Sequence, residues 1–253
     1  MAHDLQIANI WKRMAAWLFD SMLTGVIAVA IGVLLSAALG YDGYSDRLDA
    51  AYAKYEAEYA VSFEISSDTY ESMTEAEQEN FQNAYEALIA DNEAMYAYNM
   101  MISLSLVIIS LGILFGVGLW EFVMPLWLGD GRTLGKKIFG LCLVRSDSVK
   151  INTMQLFTRS ILGKFSIEIM IPVLIVLMIF WGVMGVMGTV VLLSLTLGQV
   201  ISVLVTKSHS AIHDLLAGTV VVDYASQTIF PTTEDLIEHQ KRIAAEKAAR
   251  SSY

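Results

Sequence analysis

The chain has 253 residues, of which 55% are hydrophobic and 17% charged, and this places it among integral membrane proteins rather than soluble domains. Its net charge of −10 is uneven: residues 40–98 hold fourteen acids and two bases, for −12, while the rest holds fourteen bases and twelve acids, for +2. No broad basic face stands apart from the membrane-flanking loops, which argues against nucleic-acid binding, and a single cysteine, Cys142, excludes an internal disulfide or a CxxC metal pair.

Residues 1–11 read as a short amphiphilic lead, with Leu5, Ile7, Ile10 and Trp11 suited to a helical turn or two at the membrane interface. With the first span, which runs from Met14 to Leu39, they make a segment 1–40. The apolar stretch exceeds the about 20 residues a spanning helix needs. It is also too long for a signal-peptide core and contains Asp20, so it reads as a retained span. Arg13 and Asp20 are seven apart and share a helix face. An acid inside a span is costly in lipid and must meet protein, water or a positive partner.

Segment 41–98 reads as an acidic helical hairpin outside the membrane. Leu48, Tyr52, Tyr55 and Tyr59 recur at helical spacing, Ser66-Ser67-Asp68 interrupts, and Phe81, Tyr85, Leu88, Asn92 and Met95 form a second stripe. Thr74 to Glu77 has the form of a capping box. The hairpin is either a docking stalk or cation-attracting vestibule, or a solvated hairpin whose tyrosine seam is its own core.

The second span occupies 99–128, with Glu121 near its end and Pro125 marking a kink or exit. Residues 129–165 form a basic loop with seven bases; within it Ile138 to Val144 is a short strand or an interfacial segment. Asn152 to Phe165 has the pattern of an amphipathic helix in the membrane surface. The apolar run 166–206 is too long for one span and reads as two, turning near Gly182, Gly185 and Gly188, unless those glycines form a helix contact. Residues 207–253 contain His213-Asp214, an apolar run over 215–222 that Asp214 would cap as a helix or re-entrant segment, and a charged helical tail. With four spans and both ends inside, the inner segments hold two, seven and five bases and the outer insert two, a positive-inside pattern. The expected fold is therefore an all-α membrane protein: a four-span helical bundle with an extracellular helical hairpin insert and a cytoplasmic interfacial helix.

Three blocks carry a family resemblance: Arg13 to Asp20, Gly131-Arg132-Thr133-Leu134-Gly135-Lys136-Lys137 with Gly140-Leu141 and later Arg159, and His213-Asp214 through Val221. In this order they resemble the RDD family of prokaryotic membrane proteins, named for an arginine and two aspartates. On that resemblance the arginine is Arg13 and the aspartates are Asp20 and Asp214. The resemblance implies a bacterial cell-membrane protein, and transport, including cation/proton exchange, for some members. The acidic insert and the run 166–206 are both longer than the family pattern leads one to expect.

Asp20 and Glu121 lie about two turns from the inner edges of their spans, so they fall at similar depth. Adjacent carboxylates in low dielectric would have raised, coupled proton affinities and could exchange a proton for a cation. Alternatively Asp20 pairs with Arg13, Lys136 or Lys137 and pins the first span to the inner loop. Arg132, Lys136, Lys137 and Arg159 are placed to meet anionic lipid headgroups at the inner face, with Arg159 anchoring the interfacial helix. The Gly131–Lys137 block fails as a P-loop, since Asp130 and Lys137 stand where glycine and Ser or Thr are required. No nucleophile motif and no HExxH is present, so no catalytic residue, metal or cofactor is expected. The sequence favours a non-catalytic accessory or scaffold subunit, associating with itself or with other membrane subunits; the alternative is a small oligomeric transporter or cation/proton exchanger using intramembrane carboxylates.

Overall fold

In the computed structural model, which describes residues 5–180 and 182–251, the elements in chain order are α1 (Ile10–Leu39), α2 (Tyr41–Tyr59), α3 (Ser67–Glu71), α4 (Glu75–Ala90), α5 (Asn92–Leu128), α6 (Leu134–Ile138), β1 (Leu141–Arg145), α7 (Thr153–Phe180), α8 (Gly185–Val205), α9 (Ile212–Ala217), β2 (Thr219–Asp223) and α10 (Thr233–Ser251). Among the described residues, α1, α5, α7 and α8 are long and apolar enough to cross a membrane. Their outer faces remain apolar and open, as at Val29, Leu34, Phe180 and Val186, which is the surface lipid requires. The molecule is an all-α membrane protein with four spans. It contains two compact units, Val29–Gly112 and the stretches on either side of it.

The unit Val29–Gly112 is held by the α2–α4 pair. Tyr55, Leu88 and Ala94 form its buried centre, with Tyr52, Tyr59 and Phe63 packed around them. Edge-to-face ring pairs run Tyr52–Phe63–Phe81–Tyr70 at 5.4–5.7 Å, the geometry aromatic quadrupoles favour. Tyr85, part of the expected stripe, is instead 47% exposed. Thr74 and Glu77 make the reciprocal capping box. Asp91 separates α4 from α5 and accepts from the amides of Glu93 and Ala94 and from the Tyr55 hydroxyl.

In the other unit, β1 and β2 pair antiparallel, from Leu141 opposite Asp223 to Arg145 opposite Thr219. One face of this ribbon buries Cys142, Val144, Val220 and Val222 with Leu5 and Ile7. The other buries Leu141, Leu143 and Val221 against Ala16 of α1 and Leu156 of α7. With both faces covered, the strands read as unbroken apolar runs, without alternation. Burial also pushes the Cys142 thiol up to about 11.

Four expectations are corrected here. The lead is not a helical turn at the interface: Ile7 bridges Val222 and the Ala8 amide donates to Val221, so its described part lies extended beside β2. The helix begins only after Asn9, whose side chain accepts from the Trp11 amide. The apolar run 215–222 is neither helix nor re-entrant segment, because Gly218, at φ +63°, ends α9 and the β-branched run Thr219 to Val222 continues as β2. Asp214 does not cap that run; its carboxylate bonds to Arg159 and Thr219. Nor is 152–165 a separate interfacial helix. Asn152 caps its start, nothing breaks the backbone afterwards, and it continues to Phe180 as α7.

Two stretches inside the spans are wound as π-helix, Gly118–Val123 in α5 and Thr158–Met170 in α7. Amides there bond five residues back, Met124 to Leu119 and Ile171 to Ser166. The two π segments face one another, and the Ser160 hydroxyl donates 2.8 Å to the Glu121 carbonyl. After Phe180 the backbone turns at Gly182, φ +73°, and α8 begins at Gly185.

Candidate functional site

The site starts from Asp20, buried in α1 at 1% exposure. Its Oδ1 accepts from the Trp120 indole at 3.0 Å and the Gly135 amide at 2.9 Å, and its Oδ2 accepts from the Thr133 hydroxyl. Thr133 also caps α6, so one hydroxyl fixes both the loop and the acid. Gly135 is required by this approach: a Cβ there would sit 2.7 Å from the Ala16 carbonyl and 2.8 Å from the Asp20 carboxylate.

The Lys136 ammonium lies 3.8 Å from Asp20 and 3.6 Å from Glu121. The two intramembrane acids are thus joined through a cation. Burial pulls this ammonium below the usual lysine range, and the Glu121 and Asp20 carboxylates only partly oppose that. Glu121 Oε1 accepts from Lys164. Glu121 Oε2 has no hydrogen-bond donor, with Lys136 Nζ and Arg159 Nη1 each 3.6 Å away.

From Arg159 the network continues to the second aspartate. Arg159 Nε donates 2.8 Å to Asp214 Oδ1, and its Nη2 donates to His213 Nε2 at 2.9 Å. An arginine has only donors, so Nε2 of His213 accepts and Nδ1 carries the proton it gives Glu168 Oε2 at 2.7 Å. Arg13 ends the network, 3.8 Å from Asp214 and donating 3.0 Å to the Ser208 carbonyl. Burial alone would raise the Asp214 carboxyl; Arg159, which also donates a hydrogen bond to it, and Arg13 instead hold it below the usual carboxylate range. Gly163 lets α9 come this close to α7, since a Cβ there would meet His213 Cβ at 2.6 Å.

Four carboxylates and four cations therefore share one centre, in which Arg13 and Glu168 are partly exposed and the other six are buried. Among the described residues no cluster of His, Cys, Asp and Glu could hold a metal ion. A cavity of about 650 Å³ reaches this centre and is lined by Arg13, Glu121, Lys164 and Asp214 together with the apolar Met14, Trp17, Val203 and Leu204.

A protein-family model described as the RDD family matches residues 7–218. The chain belongs to the RDD family. No match was found among curated proteins or among solved structures. In this RDD protein Asp20 and Asp214 are buried in the network and Arg13 is partly buried, but Arg13 faces Asp214 and not Asp20. Of the four bases expected at lipid headgroups, Lys136 and Arg159 are consumed inside the network. Arg132 and Lys137 both bind Asp130, and Arg132 also lies 3.9 Å over the Tyr224 ring. Arg159 is 4% exposed, so it anchors to Asp214 and not to a surface.

Sequence reasoning missed Trp120, Thr133, Gly135 and Glu168 as partners, and placed Lys164 on the polar side of an interfacial helix and not beside Glu121. The spacing Arg159, Lys164, Glu168 was the available signal, because it puts three charges along a helix that continues into an apolar span.

Proposed function

We propose that this RDD protein is a non-catalytic accessory or scaffold subunit of a membrane complex, with both termini and the basic loop on the cytoplasmic side and the acidic hairpin outside. The observation that carries this reading is the Lys136 ammonium between Asp20 and Glu121. A carboxylate pair tuned to exchange a proton for a cation needs the acids to face each other or an open site. Here cations already neutralise them, and the network clamps α1, α5, α6, α7 and α9 to each other. A buried array of this kind fixes geometry. The α2–α4 hairpin has its own aromatic core and the charge to attract a basic partner.

The test is a pull-down from native membranes in mild detergent, comparing the intact chain with one lacking residues 45–95. The accessory role predicts a stoichiometric partner that disappears with the hairpin. Recovery of the chain as a homo-oligomer alone, in both cases, would count against it.

A second reading, an oligomeric cation or proton exchanger, draws support from Glu121 Oε2, which lacks a donor beside the cavity. Reconstitution with cation and pH gradients separates the two. Exchange requires flux that is lost in Asp20→Asn or Glu121→Gln while assembly is kept; an accessory subunit carries no flux at all.

A further inference from the structure

Arg159 stands between two acceptors and engages one of them. On one side its Nη2 donates 2.9 Å to His213 Nε2. On the other its Nη1 lies 3.6 Å from Glu121 Oε2, which among the described residues is the one buried side-chain nitrogen or oxygen without a hydrogen-bond partner. The Arg159 Nε donates to Asp214 Oδ1, a bond that either arrangement can keep. Closing the gap to Glu121 takes about 0.8 Å, since a charge-assisted bond of this kind spans about 2.8 Å.

The acceptor that holds Arg159 away from Glu121 is an imidazole, and its Nε2 accepts only while the ring is neutral. His213 is 7% exposed. From α7, Glu168 takes the Nδ1 proton at 2.7 Å on Oε2 and the His213 amide on Oε1. On its own helix, the hydrogen bonds to the Asp214 carboxylate fall on Oδ1, and Oδ2 lies 3.6 Å from His213 Nε2. From α1, Arg13 is 3.8 Å from that same oxygen. β2 and α8 present the neutral Thr219 and Gln199, while Lys136 and Lys164 face Glu121. A proton on Nε2 would therefore sit between two carboxylates, Glu168 and Asp214, with Arg159 as the opposing cation. Histidine is the side chain that ordinarily changes charge between about pH 5 and 8. The cavity is lined by His213, Arg159 and Glu121 together, so it reaches the ring and both ends of the exchange.

We propose that His213 is a proton-binding site that sets the position of Arg159. With the ring neutral, Arg159 donates to Nε2 and ties α7 to α9. With the ring protonated, Nε2 donates to Asp214 Oδ2 and Arg159 loses that acceptor. Its Nη1 then closes on Glu121 Oε2 and ties α7 to α5. One proton is taken up, and no other group changes charge. The device does not depend on the accessory role and requires no flux.

The test uses the full chain in mild detergent, with its histidine nitrogens isotopically labelled for NMR. His3→Gln, His209→Gln and His239→Gln, made singly, assign the other rings, so His213 is identified without a variant in the centre. From about pH 8 to 5, its Nε2 should pass from the shift of an unprotonated nitrogen to that of a protonated one, while Nδ1 keeps its proton. Infrared difference spectra over the same range should show the Glu121 carboxylate stretch shifting while the group stays ionised. Glu121→Gln identifies that stretch by its loss; Lys164→Met with Glu121→Gln, balanced in charge, serves where the single variant does not fold. His213→Gln, which keeps an acceptor for Arg159 and has no proton to gain, should abolish the shift. An Nε2 that stays unprotonated down to about pH 5, or is already protonated at about pH 8, would overturn the proposal. So would a Glu121 stretch that stands still while the ring titrates, or that moves as far in His213→Gln.

Discussion

Asp20 is the most heavily bonded acid in the centre, and each of its partners is separately testable. Trp120→Phe removes one donor to a carboxylate and should cost about 1.5–3 kcal/mol. Asp20→Asn turns an amide NH₂ toward Lys136 and Thr133 and should cost about 3–5 kcal/mol, the range for breaking a buried ion pair. Both are read from unfolding in detergent, and a smaller effect for Asp20→Asn than for Trp120→Phe would contradict the clamp. Gly135→Ala should be as damaging as Asp20→Asn although it removes nothing, because the added Cβ cannot fit 2.7 Å from the Ala16 carbonyl. Asp214 adds a pH signature. Its carboxyl is held below the usual range in the fold, so its contribution is fully present above the unfolded value of about 3.9 and is lost as pH falls through the lower folded value. The acid limb of the stability curve should therefore be shallower in Asp214→Asn. Arg13, Asp20 and Asp214 stood out in the sequence as charges where charge is expensive. Which charge meets which did not: Arg13 and Asp20 share a helix face, yet Arg13 finds its partner 201 positions away in α9, a consequence of tertiary packing alone.

At the scale of the element, α7 teaches the most. Charges and apolar residues alternating at helical spacing describe a helix lying in the membrane surface, and they describe equally well a helix whose charged stripe is buried against opposite charges. Hydrophobic pattern cannot separate these, because it ranks Arg159 and Lys164 as water-seeking whatever their partners are. The spans themselves and the capping box at Thr74 were readable because their causes are local: length, apolarity and residues three apart. The π segments were not, since their wide turns answer to contacts between α5 and α7. The pairing between those helices can be checked by exchange. Lys164→Met alone leaves Glu121 short of a cation and should cost about 3–5 kcal/mol, whereas adding Glu121→Gln should recover much of that loss. Additive losses in the double variant would show that Lys164 and Glu121 act independently.

At the scale of the molecule, the acidic hairpin and the charged membrane centre belong to different compact units, so deletion of 45–95 is an experiment on one of them. One modest feature makes the arrangement across the bilayer directly measurable. The only cysteine, Cys142, is buried in the β-ribbon, and its thiol sits at about 11, so almost none of it is the thiolate that reacts with maleimides. The unaltered chain is thus close to silent toward labelling reagents, with no need for a cysteine-free background. A membrane-impermeant maleimide should mark Ser72→Cys in intact cells and Ser226→Cys only after permeabilisation. The reverse order would turn the protein over, and the acidic hairpin would then face the cytoplasm.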